Sequence, residues 1–308
     1  MVDTGKKDCS IDFKTGGDDK VSADLGTTTV DVKLYKVADI SEVGDYTASG
    51  DFAQLDVSAL DASDSTSADE WLKRATEAVG MVTDSTKPTA EVSLTDGEGK
   101  ARDLATGLYL VLADKAQTTN YEYTFTPYLI SLPNNQYYVT GSDEWLYDTS
   151  TGLKPDQQER YGDLEIDKTL TSYNETMKGA SFVFDIEAKV NGEIVYSDVV
   201  SMVFDGTGTK SVVIKELPAG ANITVTEVYS GSSYEATGEA EQTTQIVADE
   251  MVSTAFENQY DGKLNGGSSV VNHFEFTPNE KTADDQKQSA EDGVWDWEQQ
   301  TDSTQAQE

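Results

Sequence analysis

Scarcity is the first thing the chain shows: one cysteine, one histidine, six prolines and 22 basic residues against 57 acidic ones, in 308 positions. Each shortage excludes something. A single thiol, Cys9, admits no intramolecular disulfide, so any covalent brace must use other chemistry. Cys9 alternates with Ile11 and Phe13 and reads as a small buried hydrophobe. One histidine, His273, cannot serve the several roles of a Ser/His/Asp set, and the metal-spaced Cys/His cluster that a zinc site needs is missing. The net charge of -35 leaves too few Lys and Arg to neutralise phosphates, which excludes nucleic-acid binding and disfavours an anionic membrane surface. Gly-rich phosphate loops are absent, because Asp96-Gly-Glu-Gly and Asp205-Gly-Thr-Gly read as hairpin turns. No apolar run approaches the roughly 18 residues of a membrane-spanning helix. The first residues contain no apolar signal segment, and the chain stops within an acidic tail. The expectation is a mature or trimmed form, without cofactor or metal.

What is plentiful is Ser, Thr, Asp, Gly and Tyr, with Val in alternating runs, a mixture that favours strands and turns. Val30, Val32 and Leu34 take one face of a strand and Asp31 and Lys33 the other. Strands are also predicted at 9–14, 90–94, 107–112 and 125–132. One helix is predicted over 67–79: Ser67 and Glu70 make a capping box, Trp71, Leu72, Ala75, Ala78 and Val79 follow at helical spacing, and Gly80 stops it. The second half carries seven strand signals, at 163–170, 181–190, 194–203, 210–216, 221–229, 242–247 and 251–259. The pattern predicts an all-β protein of two tandem Ig-like sandwiches with one short helix. The N-terminal domain spans 8–140, a polar linker 141–160, and the second domain 161–277. The Gln-, Asp- and Glu-rich stretch 278–308 reads as a disordered acidic tail.

Three polar residues stand where the alternation demands apolar ones. Lys168, Glu227 and Asn258 each share a strand face with the hydrophobe two positions earlier: Ile166, Val225 and Phe256. Parity therefore aims an amine, an acid and a carboxamide at a core, which is costly unless they meet. If they do, burial favours a neutral amine and a neutral acid. The amine is then a nucleophile, the acid polarises the carboxamide and carries protons, and folding supplies proximity worth roughly 7–11 kcal/mol. The product is a Lys–Asn amide, with loss of ammonia.

These residues sit in motifs that resemble a known family. Leu164-Glu-Ile-Asp-Lys-Thr, Phe182-Val-Phe-Asp-Ile, Leu217-Pro-Ala-Gly-Ala-Asn-Ile-Thr-Val-Thr-Glu and Phe256-Glu-Asn-Gln-Tyr are similar to a collagen-adhesin B-type (Cna B-like) isopeptide domain of Gram-positive pilins and adhesins. The resemblance implies Lys168 as nucleophile, Glu227 as catalytic acid and Asn258 as acceptor, with Asn272 a rival acceptor. Leu34-Tyr-Lys-Val-Ala-Asp, Asp103-Leu-Ala-Thr-Gly-Leu-Tyr-Leu-Val and Thr126-Pro-Tyr-Leu-Ile-Ser-Leu-Pro resemble the N-terminal domain of backbone pilins. There a second bond is expected between Lys36 and Asn134 or Asn135, helped by Asp114, with a lysine reaching water as the bland alternative.

The segment Trp145-Leu-Tyr-Asp-Thr-Ser-Thr-Gly-Leu-Lys-Pro resembles the pilin motif, through Trp145, Tyr147 and a lysine nine residues after the tryptophan. By that resemblance Lys154 is the acceptor to which a class C-type sortase joins the next subunit. Apolar residues before the lysine are replaced by Thr149 and Thr151, and the proline follows instead of preceding. The implied protein is no turnover enzyme. It is a shaft subunit of a covalent, head-to-tail, cell-wall pilus, extracellular, with minor pilins as further partners. The alternative is a tip or anchor pilin, or a wall adhesin, that binds a host ligand.

Overall fold

The computed structural model describes residues 1–60, 66–135 and 144–263, together with the backbone of 270–278 and 293–301. The chain divides into two compact units, Met1–Gln158 and Glu159–Glu308. Both are built chiefly from strands, so the protein is all-β. Among the described residues, no helix is long and apolar enough to cross a membrane.

In the first unit, Val30–Ile40 is the axis of a five-stranded sheet. Gly107–Ala113 and then Tyr128–Leu132 follow on one side; Ala90–Leu94 and Tyr46–Ala48 pair with it in succession on the other. The axis strand is buried on one face in its first half and on both faces in its second. Val30, Val32 and Leu34 pack with Ile11, Phe13, Leu104 and Tyr109, whereas Tyr35 and Val37 pack with Phe52, Ala75 and Ala78. A strand covered on both sides reads as a near-continuous apolar run, which is the character of its second half. A smaller sheet sets Cys9–Lys14 between Glu98–Leu104, antiparallel, and Asp148–Gly152, parallel. Pro155–Glu159 joins Tyr121–Phe125 and Ala116–Gln117 in a third sheet. Of the stretch 141–160, expected as a linker, the described residues 144–158 are therefore largely strand of the first unit. Its composition is polar because these are short strands with exposed faces, which periodicity does not separate from loop.

The expected helix is present as Ala68–Val79, with Ser67 accepting from Glu70 N and Gly80 at its end. The Glu70 carboxylate pairs forward with Arg74, at 2.6 Å. A second helix, Asp19–Leu25, corrects the expectation of a single one; Asp18 caps it by accepting from Lys20 N and Val21 N. Its two turns are too few to show a helical period. Asp96 and Gly97, at φ 52° and 80°, make the predicted hairpin turn between Ala90–Leu94 and Glu98–Leu104.

The sandwich of the second unit is two four-stranded sheets. One runs Gly208–Pro218, Tyr161–Leu170, Met251–Tyr260, Tyr234–Ala236; the other runs Glu193–Phe204, Ala180–Val190, Asn222–Tyr229, Glu241–Gln245. All seven predicted strands form, and three-residue Tyr234–Ala236 is an eighth. The core comprises Leu164, Ile166, Phe182, Phe184, Ile186, Ile223, Val225 and Phe256, with their neighbours. Tyr161–Leu170 and Met251–Tyr260 are the one parallel pair described in this unit, with Lys168 opposite Phe256 and Leu170 opposite Asn258. Within the stretch expected as a disordered tail, Gly293–Thr301 forms a strand antiparallel to Val270–Pro278, with Trp295 in register with Phe276 and Trp297 with Phe274. The alternation of Trp295 and Trp297 is a strand signal that the acidic composition masked.

Candidate functional site

The Tyr161–Leu170 strand alternates without interruption, burying Gly162, Leu164, Ile166, Lys168 and Leu170. The strands Asn222–Tyr229 and Met251–Tyr260 do the same through Glu227 and Asn258. Lys168 and Asn258 are fully buried, and the Glu227 side chain is 1% exposed. The parallel register makes Lys168 and Asn258 diagonal neighbours on the inner face of one sheet. Glu227 comes from the other sheet, so the site spans the sandwich.

The three side chains form a closed triangle. Lys168 Nζ donates to Glu227 Oε1 at 2.8 Å and to Asn258 Oδ1 at 2.5 Å. Asn258 Nδ2 donates to the same Glu227 Oε1 at 2.8 Å and to the main-chain carbonyl of Ser230 at 3.3 Å. Two aromatic rings close over the amine: the Phe182 centroid is 4.6 Å from Nζ and the Phe184 centroid 5.7 Å. Phe184 in turn stacks against Phe256, at 5.0 Å.

Electrostatics follow from this dryness. Burial pulls the Lys168 ammonium below the usual lysine range, against the opposite pull of its bond to Glu227. Burial pushes the Glu227 carboxyl above the usual range, opposed by Lys168 and Asn258. Both shifts run toward the neutral forms, an amine that holds its proton less tightly and a carboxyl that holds its proton more tightly. A neutral amine beside a polarised carboxamide is equipped for acyl transfer.

The sequence did not point to Ser230, because a carbonyl contribution carries no side-chain signature. Nor did parity single out Phe182 and Phe184 as the rings over the amine, since any core aromatic would look alike. Asn272 lies in Val270–Pro278, opposite Gln299, and its side chain is outside the described residues.

The second expected bond is not assembled. Lys36 Nζ pairs with Asp39 at 2.6 Å, and Asp114 pairs with Lys33 at 2.7 Å. The reason is parity across the sheet. Asp114 N bonds to Asp31 O, so Asp114 lies beside the Asp31 and Lys33 face, whereas Lys36 belongs to the Leu34 face. The main chain of Asn134 and Asn135 pairs with that of Leu146 and Trp145 in a two-stranded ladder.

Around Lys154 the backbone is fixed and the side chain is exposed. Leu153 N bonds to Lys14 O, and the Lys154 carbonyl accepts from Thr126 N, both at 2.9 Å. Lys154 Nζ stands 5.4 Å from the Tyr128 ring centroid. It borders a cavity of about 300 Å³ lined by Trp71, Leu72, Tyr128 and Leu129 as well. Trp145 packs on the helix-side core. The Tyr147 hydroxyl accepts from Asp3 N at 2.7 Å, and Lys6 lies over its ring.

Residues 164–261 match the model of a family described as a domain of unknown function, DUF5979. No curated protein matches the chain. Among solved structures, a streptococcal ancillary pilin is similar at 17% identity over 86% of this chain and 71% of that one, with a TM-score of 0.28. GBS52, the minor pilin of Streptococcus agalactiae, is similar at 14% identity, covering 85% of this chain and 100% of that one, with a TM-score of 0.24. The major pilin SpaD of Corynebacterium diphtheriae is similar at 10% identity, covering 85% and 99%, with a TM-score of 0.29.

Proposed function

We propose that this chain is a structural subunit of a covalently polymerised surface pilus, braced by an intramolecular amide between Lys168 and Asn258. The observation that carries the reading is the triangle of amine, carboxyl and carboxamide, within hydrogen-bond distance in a dry core. Glu227 is the acid of that step. The chemistry is one self-linking event per chain, so the protein is not a turnover catalyst. A chain with a single cysteine gains by this route the brace that extracellular proteins ordinarily take from disulfides.

Lys154 is the point at which subunits are joined. Its amine is exposed at the end of an apolar cavity, on a backbone held by main-chain bonds to Lys14 and Thr126. In this reading a class C-type sortase delivers the acyl group of the next copy to Lys154, and minor pilins share the fibre on the cell wall. Incubation of the full chain with such a sortase and a sorting-signal peptide tests it. An adduct that maps to Lys154 supports the shaft role, and an adduct that persists in Lys154→Ala refutes it.

A further inference from the structure

We propose that the main-chain carbonyl of Ser230, held by Gly231, is a positioning group that commits the site to a carboxamide acceptor and steers ammonia as the leaving group. The inference rests on the self-linking reading of Lys168, Glu227 and Asn258.

The carboxamide of Asn258 has one orientation that satisfies its surroundings. Its oxygen meets the Lys168 amine, and its nitrogen meets two acceptors, Glu227 Oε1 and Ser230 O. Turned over, it would set its oxygen against both acceptors and its nitrogen against the amine. The observed orientation makes Glu227 Oε1 a bridge, 2.8 Å from the attacking nitrogen and 2.8 Å from the departing one. The step then balances. The Nζ–Cγ bond forms and the Cγ–Nδ2 bond breaks. One amine proton passes through Glu227 to Nδ2, so an amine and a primary amide become a secondary amide and ammonia. Ser230 O holds the second N–H of the departing nitrogen.

The carbonyl is placed by local backbone geometry. The pairing of Ala180–Val190 with Asn222–Tyr229 shifts register between Val183 and Phe184, whose partners are Tyr229 and Glu227. Val228 is the extra residue, a bulge that re-aims the strand beside Glu227. Three residues later Gly231 takes φ 84°, and a Cβ there would lie 2.9 Å from the Tyr234 ring. Alanine at 231 is therefore strained twice, by the left-handed backbone and by the ring. Relief of that strain moves the Ser230–Gly231 peptide, and with it the acceptor.

A carboxylate at 258 offers no N–H to either acceptor. It would face the Ser230 carbonyl with an unpaired oxygen, the arrangement by which a site rejects a close analogue. The test follows linking in full-length chains made by cell-free synthesis and sampled over time by intact mass. Loss of ammonia removes about 17 Da and loss of water about 18 Da. The expected result is that Ser230→Ala, which keeps the carbonyl, links at the wild-type rate. Gly231→Ala links roughly 10-fold more slowly, the rate equivalent of one hydrogen bond. Asn258→Asp links at least roughly 10-fold more slowly than wild type, and that preference shrinks when Gly231→Ala is added. A merely structural role for Gly231 would slow both acceptors alike and leave the preference intact, which overturns the proposal. Equal rates for the two acceptors in the wild-type background overturn it without any change at 231. A wild-type chain that never loses ammonia removes the underlying reading instead, and that outcome is distinct from the others.

Discussion

Lys168 Nζ lies 2.5 Å from Oδ1 of Asn258, although 90 positions separate the two residues in the chain. They belong to the first and last strands of the sandwich proper, which run parallel side by side. A bond between them ties the entry of the domain to its exit. Force applied at the two ends would then be carried by the amide rather than by the ladder of hydrogen bonds between the strands.

Mass is the direct check of that bond. The wild-type chain is expected about 17 Da below its sequence mass, one ammonia per amide formed. Glu227→Ala, Lys168→Arg and Asn258→Ala should each restore the full value. The deficit should correspond to one ammonia, not two, because Lys36 and Asp114 are paired elsewhere. Lys36→Ala is therefore expected to leave it unchanged.

Stability should follow the bond. Closing a loop of this length removes entropy from the unfolded chain, worth roughly 4–5 kcal/mol on the loop-entropy relation. Asn258→Ala is expected to unfold at lower urea concentration and lower temperature by a corresponding amount, plus the cost of a truncated core residue. Thermolysin digestion of both proteins gives an independent reading, with the unlinked variant cut faster in the second unit.

The pH dependence of the unlinked Asn258→Ala variant has a defined sign. Burial raises Glu227 and lowers Lys168. The Glu227 contribution is present below its unfolded value of about 4.3 and lost as pH rises; that of Lys168 is present above about 10.4 and lost as pH falls. Where the folded and the unfolded pair each hold one proton, stability does not change with pH. The pair thus contributes a minimum in the middle of the range, with stability rising as pH falls toward about 4.3 and as pH climbs toward about 10.4. Removing Glu227 as well leaves Lys168 alone. Stability should then rise with pH toward about 10.4, with a slope of up to about 1.4 kcal/mol per unit. Urea titrations of the two variants across pH isolate the difference, and parallel curves would sink the assignment.

Lys154 should behave independently of the internal bond. Lys154→Ala is expected to abolish the sortase adduct and leave the 17 Da deficit, about one ammonia, in place. Trp71→Ala and Leu72→Ala, which open the neighbouring cavity, are expected to weaken adduct formation with no effect on the internal mass. Peptide mapping of the adduct separates Lys154 from other exposed lysines.

By itself the sequence determined which side of each strand its residues would occupy. Period-two alternation is local, so the inward aim of Lys168, Glu227 and Asn258 and all seven predicted strands of the second unit were legible. So was the Ala68–Val79 helix, from its cap and stripe. What only the tertiary structure decided was partnership. Inward parity places a residue on a face; a register places it beside another, and a slip of one position would have turned Asn258 outward. That choice is made by the packing of the whole core, which no window of the chain contains. The same reason explains the failures. The family resemblance sets Asp114 beside Lys36, yet strand pairing gives it to Lys33. The polar stretch before residue 160 read as a linker, because its strands gain their stability from partners far away in the chain. Ser230 was invisible for a simpler cause: every residue has a carbonyl, and only the folded backbone decides where one of them points.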